Sequence, residues 1–372
     1  METQNKNLQS YDIKFSVMHL KQLLFNANDI YEIQPVYNYI KKFFFRYKTD
    51  FFFFDSQKYE LYKREKAMEL IPDDLRKTFK KIVGENIVKI EIILKNYLKM
   101  TDFHEKESEP VVDFSKQQIF NKIENVQGVN INYDYVNMGK PLPYFISNKD
   151  IEITKSIEND VKLITDHVLN ILASGNKEQC EYILNFIACT FGGRKLRKAI
   201  YWQSVERTGK GTLLNFINII LGKRMYKTSS TEDILKYTKP FEGCSLLNFD
   251  ELPIEGQWKS ISDVIKGLVT EPTFNCRNMY ESGYVQKNTF NIIITTNNNA
   301  IIMTQTNMMR WFSSDIDESK VDDKEYFKKL QLAMSKPEVQ KAFYQLMIKR
   351  FNRDKVKKWN EDEIPETRTK TL

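Results

Sequence analysis

"ERTGKGTLLNF", residues 206–216, places glycines on both sides of a lysine and then runs into an apolar helical pattern. A loop that cradles phosphates needs these parts. Glycine lets backbone N–H groups approach phosphate oxygens, a lysine reaches the β and γ phosphates, and a helix N-terminus points at the anion. "KAIYW" (198–202) reads as a short apolar strand before the loop, and "TLLNFINIIL" (212–221), closed by Gly222, as a helix after it. Ser204, Thr208, Gly209, Lys210, Gly211 and Thr212 are therefore the candidate nucleotide-binding residues. The loop departs twice from the usual G-x-x-x-x-G-K-[ST]: Ser204 stands in the first glycine's place, and Gly211 separates Lys210 from the hydroxyl of Thr212. Ser204 is small enough for a tight turn. The displaced Thr212 leaves the magnesium ligand open between it and an acid further on. Taken alone, the fragment also fits a strand-turn-helix whose glycines merely make the turn.

Strands and helices alternate beyond the loop, which indicates a parallel sheet with helices on its faces. "CSLLNFDE" (244–251) is a buried strand running into two acids. Asp250 is placed to hold Mg2+, directly or through water, and Glu251 to polarise an attacking water. "TFNIIITTNNN" (289–299) is a second buried strand. Asn297 at its tip can hydrogen-bond a γ-phosphate and orient that water, whereas Asn298 and Asn299 read equally well as turn formers. Arg310 follows in "NMMRWF". A planar, permanently charged guanidinium suits transition-state charge on phosphate, and the plain alternative is a surface arginine.

Upstream, "SIENDVKLITDHVLNILASG" (156–175) and "NKEQCEYILNFIACTFGG" (176–193) are two apolar-faced helices, each stopped by glycine. Residues 1–100 mix helix and strand signals. "DFFFFDSQKYELY" (50–62) reads as a hairpin, and "IPDDLRKTFKKIVG" (71–84) as a helix begun at Pro72 and ended at Gly84. The chain has 372 residues, a formal charge of +7 and 41% hydrophobic residues, enough for two or three domains with cores of their own. The mild positive balance favours an anionic partner. Four cysteines without a C-x-x-C pair and three histidines argue against zinc or a disulfide framework, and for buried thiols in a reducing compartment. No stretch of about 18 apolar residues runs through the chain and no signal-peptide layout opens it, so a soluble intracellular protein is expected, with no membrane partner.

The order "GKGT" (209–212), "LLNFDEL" (246–252), "IKGLVTEPTFNCRNMY" (265–280), "FNIIITTNN" (290–298) and "MMRWF" (308–312) resembles the superfamily 3 helicases. It is similar above all to the branch found in poxvirus primase-helicases and in phage and plasmid primase proteins. The resemblance covers roughly 155–320, and "EIPETRTK" (363–370) also fits the phage branch. It implies an α/β fold with an AAA+ type P-loop parallel sheet, preceded by a mainly helical domain and followed by a short helical segment. The expected divisions are an N-terminal α+β region over 1–140, a helical domain over 141–195, the ATPase over 196–320, and a helical segment with a polar tail over 321–372. It further implies ATP and Mg2+ as cofactors, Lys210 and Thr212 as the phosphate-binding pair, Asp250 and Glu251 as metal and water acids, Asn297 as sensor, and Arg310 as the arginine that reaches a neighbour's ATP. Shared between subunits in this way, the site implies a homo-oligomeric ring, most simply a hexamer.

"NMYESGYVQKN" (278–288) places Tyr280 and Tyr284 around a credible hairpin turn. In related helicases a hairpin just before the sensor strand projects into the central channel and grips DNA. Lys287 is a candidate phosphate contact, the two tyrosines candidate base platforms, and Lys266 and Arg277 further members of a basic surface. A solvated hairpin with no such role is the even alternative. The expected function is an ATP-driven helicase or translocase on single-stranded or forked DNA, with any primase-polymerase domain in cis upstream or in trans. Two other classes compete: a nucleoside-phosphate kinase, because "GKGT" also occurs there, and a non-catalytic module that binds nucleotide to stabilise a ring.

Overall fold

The computed structural model describes residues 16–26, 34–40, 44–47, 50–55, 60–63, 81–83, 86–88, 112, 114, 119–126, 129–136, 139–252, 258–279, 283–297 and 310–367. By its contacts the chain divides into two units, 1–108 with 116–137, and 109–115 with 138–372.

In the first unit, helices α1 (Val17–Asn26) and α2 (Gln34–Ile40) bury Leu20 and Leu24 and Val36 and Tyr39. Strands β1 (Phe44–Tyr47), β2 (Asp50–Asp55) and β3 (Glu60–Lys63) form an antiparallel sheet, so the hairpin expected over 50–62 is present. The helix expected to run to Gly84 is corrected at its end. Lys81–Val83 is strand β4, paired with β5 (Asn86–Val88), and the rest of that segment lies outside the described residues. Two β-branched runs, Ile82-Val83 and Ile87-Val88, straddle Gly84-Glu85, and cross-strand pairing outweighs the local helical signal. A longer hairpin, β6 (Ile119–Val126) with β7 (Val129–Val136), completes the described strands of this unit.

The second unit is built on five parallel strands: β8 (Ala199–Gln203), β9 (Met225–Thr228), β10 (Leu246–Asp250), β13 (Asn291–Thr296) and β14 (Trp311–Ser313). Their order across the sheet is β14-β8-β13-β10-β9, and β11 (Thr273–Cys276) and β12 (Tyr284–Lys287) form a separate antiparallel hairpin. The strands are apolar on both sides because both sheet faces are covered. Alternate residues sort cleanly between two cores. Ile200, Trp202, Leu246, Ile293 and Phe312 face one, and Ala199, Tyr201, Leu247, Phe249, Ile292, Ile294 and Trp311 face the other.

The first core is roofed by helices α4 (Lys155–His167), α5 (Lys177–Phe191), α6 (Lys210–Leu221), α9 (Lys324–Ser335) and α10 (Pro337–Phe351), which follow the single turn α3 (Tyr144–Ser147). The helical segments before and after the sheet thus share one core with it. Helix α5 is buried nearly all round, as its central place requires. Thr154 caps α4 and Asn176 caps α5 through side-chain oxygens that accept backbone N–H groups. The second core is closed by α8 (Trp258–Thr270), through Ile261, Ile265, Leu268 and Val269, and by Phe274 and Cys276 of the hairpin. The short α7 (Thr231–Leu235) adds Ile234, and a last turn, α11 (Asp354–Lys357), packs Val356 into the first core. No helix among the described residues is long and apolar enough to cross a membrane. The result is the expected α/β architecture, a P-loop-like parallel sheet flanked by helices.

Candidate functional site

Parallel strands bring all their carboxyl ends to one edge, where ligands of open α/β sheets bind. Three segments meet there. Strand β8 runs into Ser204 and the loop. Strand β13, beside it, ends in Thr296 and Asn297. Strand β10, one further, ends in Asp250 and Glu251.

The loop turns at Arg207 (φ 63°) and Gly209 (φ 95°), and α6 starts at Lys210, two residues earlier than the sequence pattern suggests. Gly209 sits in the left-handed region at the position before the helix and supplies no side-chain cap, so the first amides of α6 are left to the loop's hollow. Ser204 accounts for the missing first glycine. Its hydroxyl lies 2.8 Å from that of buried Thr208 and accepts from the Lys210 ammonium at 2.8 Å, bracing the loop from inside.

Lys210 is buried, and its ammonium donates to the Ser204 carbonyl (2.8 Å), the Thr296 carbonyl (3.2 Å) and Asn297 Oδ1 (3.1 Å) as well. An ammonium only donates, so the oxygen end of the Asn297 amide must face it. Burial pushes the Lys210 ammonium pKa down, and the carboxylates of Glu251 and Asp250 oppose that shift, which puts both acids within electrostatic reach of the loop. Asp250 accepts from the Thr295 hydroxyl on one oxygen and pairs with Lys227 of β9 at 2.6 Å on the other. Glu251 has φ 48°, uncommon for a residue with a side chain, while its N–H still donates to the Thr295 carbonyl at 3.0 Å. The ladder therefore continues as the side chain leaves the strand. Such backbone conformations concentrate at functional sites. Thr212 is half-buried in the first turn of α6, and Gly211 has open space beside it.

Arg310 does not join this cluster. It precedes Trp311, which pairs with Ala199 at the start of β8, five residues before Ser204. At about 3.3 Å per residue the separation along the sheet is roughly 16 Å, beyond an arginine's reach. Arg310 is half-buried at the opposite edge of the sheet from its own loop.

The hairpin residues divide. Arg277 is exposed just past β11, and Lys287 is exposed but lies at the hairpin's base, opposite Thr273. Lys266 pairs with Asp263 on α8 at 2.8 Å. Tyr280 lies outside the described residues. Tyr284 is half-buried, and its hydroxyl accepts from Lys239 and donates to Glu242, which themselves pair at 2.6 Å. That placement suits a brace under the hairpin better than a platform for bases.

Several residues of this region have no sequence signal of their own. Lys227 and Thr295 engage Asp250, the Thr296 carbonyl engages Lys210, and Lys239 supports Tyr284. A β-branched threonine in a strand reads only as a strand former. Position 295, beside an acid on the neighbouring strand, becomes visible once the strand order is known.

A model of a family of unknown function (DUF5906) matches residues 202–310, a span that holds every residue placed in the site above. No curated protein matches the chain. Among solved structures, an apo A form of the NrS-1 C-terminal region is similar with a TM-score of 0.60 at 15% identity, covering 87% of this chain and 68% of that one. A second A form of the same region, residues 305–718, gives a TM-score of 0.50 at 14% identity, covering 77% of this chain and 66% of that one. At these identities the likeness establishes the fold.

Proposed function

We propose that this chain is a helicase-like motor module that hydrolyses ATP to move along DNA, of the kind that accompanies a primase-polymerase. One observation carries the reading. The Lys210 ammonium joins the loop after β8 to the amide at the tip of β13, at the sheet edge where β10 presents two carboxylates. The likeness in fold to the NrS-1 C-terminal region and the ordered helicase-like motifs support it.

The residues present fit ATP and Mg2+. The hollow offers donors to an anion: the leading amides of α6 and a buried ammonium whose acceptors are neutral oxygens. No group of three His, Cys, Asp or Glu able to hold a metal occurs among the described residues, so a divalent ion is expected to arrive with the phosphates that complete its shell. In this reading Lys210 and the α6 amides bind the β and γ phosphates, and Asp250 holds Mg2+, with Thr212 as second candidate. Bound Mg2+ supplies charge neutralisation for the phosphates. Glu251 takes the proton of the attacking water and Asn297 orients that water. Arg310, too far from its own loop, serves the site of the adjoining subunit in a ring, and the β11–β12 hairpin contacts single-stranded DNA through Arg277 and Lys287.

The test is ATP turnover by the whole chain with and without single-stranded DNA, alongside Glu251→Gln. Turnover that DNA stimulates and Glu251→Gln abolishes is expected. Phosphoryl transfer to AMP without response to DNA would establish a kinase instead, and tight nucleotide binding without turnover an assembly module.

A further inference from the structure

His167 is fully buried at the end of α4, where the helix widens into a π turn over Val168–Leu172. Its Nδ1 lies 2.9 Å from the Tyr326 hydroxyl of α9, and its Nε2 lies 3.4 Å from the Gly209 carbonyl oxygen of the phosphate loop. A carbonyl can only accept, so Nε2 carries the proton. In the neutral ring, Nδ1 then accepts from the Tyr326 hydroxyl. Burial favours that neutral ring. The contact is close. A Cβ built on Gly209 would stand 2.5 Å from His167 Cε1 and 2.9 Å from Phe327 Cε1, so glycine is required there by packing as well as by its φ.

The other side of the contact is firmly held. Asp323 caps α9 by accepting the Tyr326 N–H at 3.0 Å and pairs with Lys320, which lies over the Tyr326 ring. Arg207, at the loop's first turn, reaches the same segment through Asp322 at 2.6 Å.

The Gly209 carbonyl is where this matters. It shares a trans peptide plane with the Lys210 N–H, and the two point in opposite directions. Holding the carbonyl toward His167 therefore aims the first amide of α6 the other way. The same carbonyl accepts the Leu213 N–H at 3.1 Å and so begins the helix.

We propose that His167, oriented by Tyr326, is a positioning residue that sets the Gly209–Lys210 peptide, so that helices α4 and α9 hold the phosphate loop in its anion-binding form. This rests on the nucleotide-binding reading above. His167→Ala, His167→Gln and Tyr326→Phe are compared with the unaltered chain in two measurements: the Kd of a fluorescent ATP analogue, and backbone hydrogen exchange over residues 207–213. His167→Ala is expected to weaken binding about tenfold and to speed exchange in that segment. His167→Gln, which returns an N–H at similar reach, recovers most of both, and Tyr326→Phe, which loses only a hydroxyl, falls between. Unchanged Kd and unchanged exchange in Tyr326→Phe and in a folded His167→Ala would overturn the proposal. An unaltered chain that binds no nucleotide, while exchange still responds to the variants, would overturn the nucleotide reading and leave His167 as a purely structural brace of the loop.

Discussion

Lys210 is held by oxygens from the loop and from the end of β13, and each of those oxygens loses a donor if the lysine is removed. Lys210→Ala is expected to lower nucleotide affinity by at least tenfold and to abolish ATP turnover, read by equilibrium binding and a phosphate-release assay. Glu251 behaves differently, since its carboxylate is exposed and is not one of the groups that hold Lys210. Glu251→Gln should leave the Kd nearly unchanged while turnover falls about 10²- to 10⁴-fold, the usual contribution of a general base. His167 adds a pH dependence. Burial lowers its pKa to about 4 from 6.5, the Gly209 carbonyl opposing. The unfolded chain therefore binds this proton more readily across that interval. Stability is fully present above pH 6.5 and falls as the pH drops toward 4, by up to about 3 kcal/mol. Urea denaturation at about pH 7 and pH 5 should reveal that slope, and His167→Gln should flatten it.

At the scale of elements, the β11–β12 hairpin is fastened at the turn-side end of its ladder, where Cys276 pairs with Tyr284. Thr238 donates to the Asn275 carbonyl and accepts the Arg277 N–H, the Lys239 N–H donates to the Arg277 carbonyl, and Tyr284 joins Lys239 and Glu242. These contacts tie the hairpin to the turn that leads into β10, the strand that ends in Asp250. Tyr284→Phe removes the hydroxyl but keeps the ring, and should cost about 1 kcal/mol, measured as a few degrees of melting temperature. Lys287 is exposed at the hairpin's base. If it meets a phosphate of single-stranded DNA, Lys287→Ala weakens binding for all sequences and reduces the salt slope by about 0.7. An unchanged slope in a filter-binding titration would remove it from the DNA surface.

At the scale of the whole molecule, Arg310 and Lys210 lie at opposite ends of β8 and cannot act on one nucleotide within one chain. A head-to-tail contact that offers Arg310 to the next subunit repeats until the rotation closes. Arg310→Ala should therefore bind nucleotide but not hydrolyse it. Mixing it with Lys210→Ala should restore part of the activity, because some interfaces then pair an intact loop with an intact arginine. Native mass spectrometry of the same samples reports whether the ring persists. A mixture that stays inactive, with Arg310→Ala alone turning over normally, would sink the shared site.

The short apolar runs Ala199–Gln203, Leu246–Asp250 and Asn291–Thr296 are a local property, and from them and the helical segments between them a buried parallel sheet could be inferred, with the glycine-rich loop placed between strand and helix. The same holds for Lys210, Asp250, Glu251 and Asn297 as candidates, because each stands at the end of a segment whose type its own neighbours determine. What the sequence left open was everything set by packing across long separations. Lys210 meets Asn297 over 87 positions, and His167 meets Gly209 over 42. Ser204 read as an irregular glycine substitute until its hydroxyl met Lys210. Lys227 carried no signal until β9 lay beside β10. Arg310 was expected to reach a neighbour's nucleotide only through a resemblance, and its distance from its own loop came with the register of β14. The length and spacing of apolar residues decide what each segment is, because both are properties of the segment itself. Strand order, register and the meeting of α4 and α9 over the loop come from burying both faces of one sheet at once, and only the tertiary structure decides them.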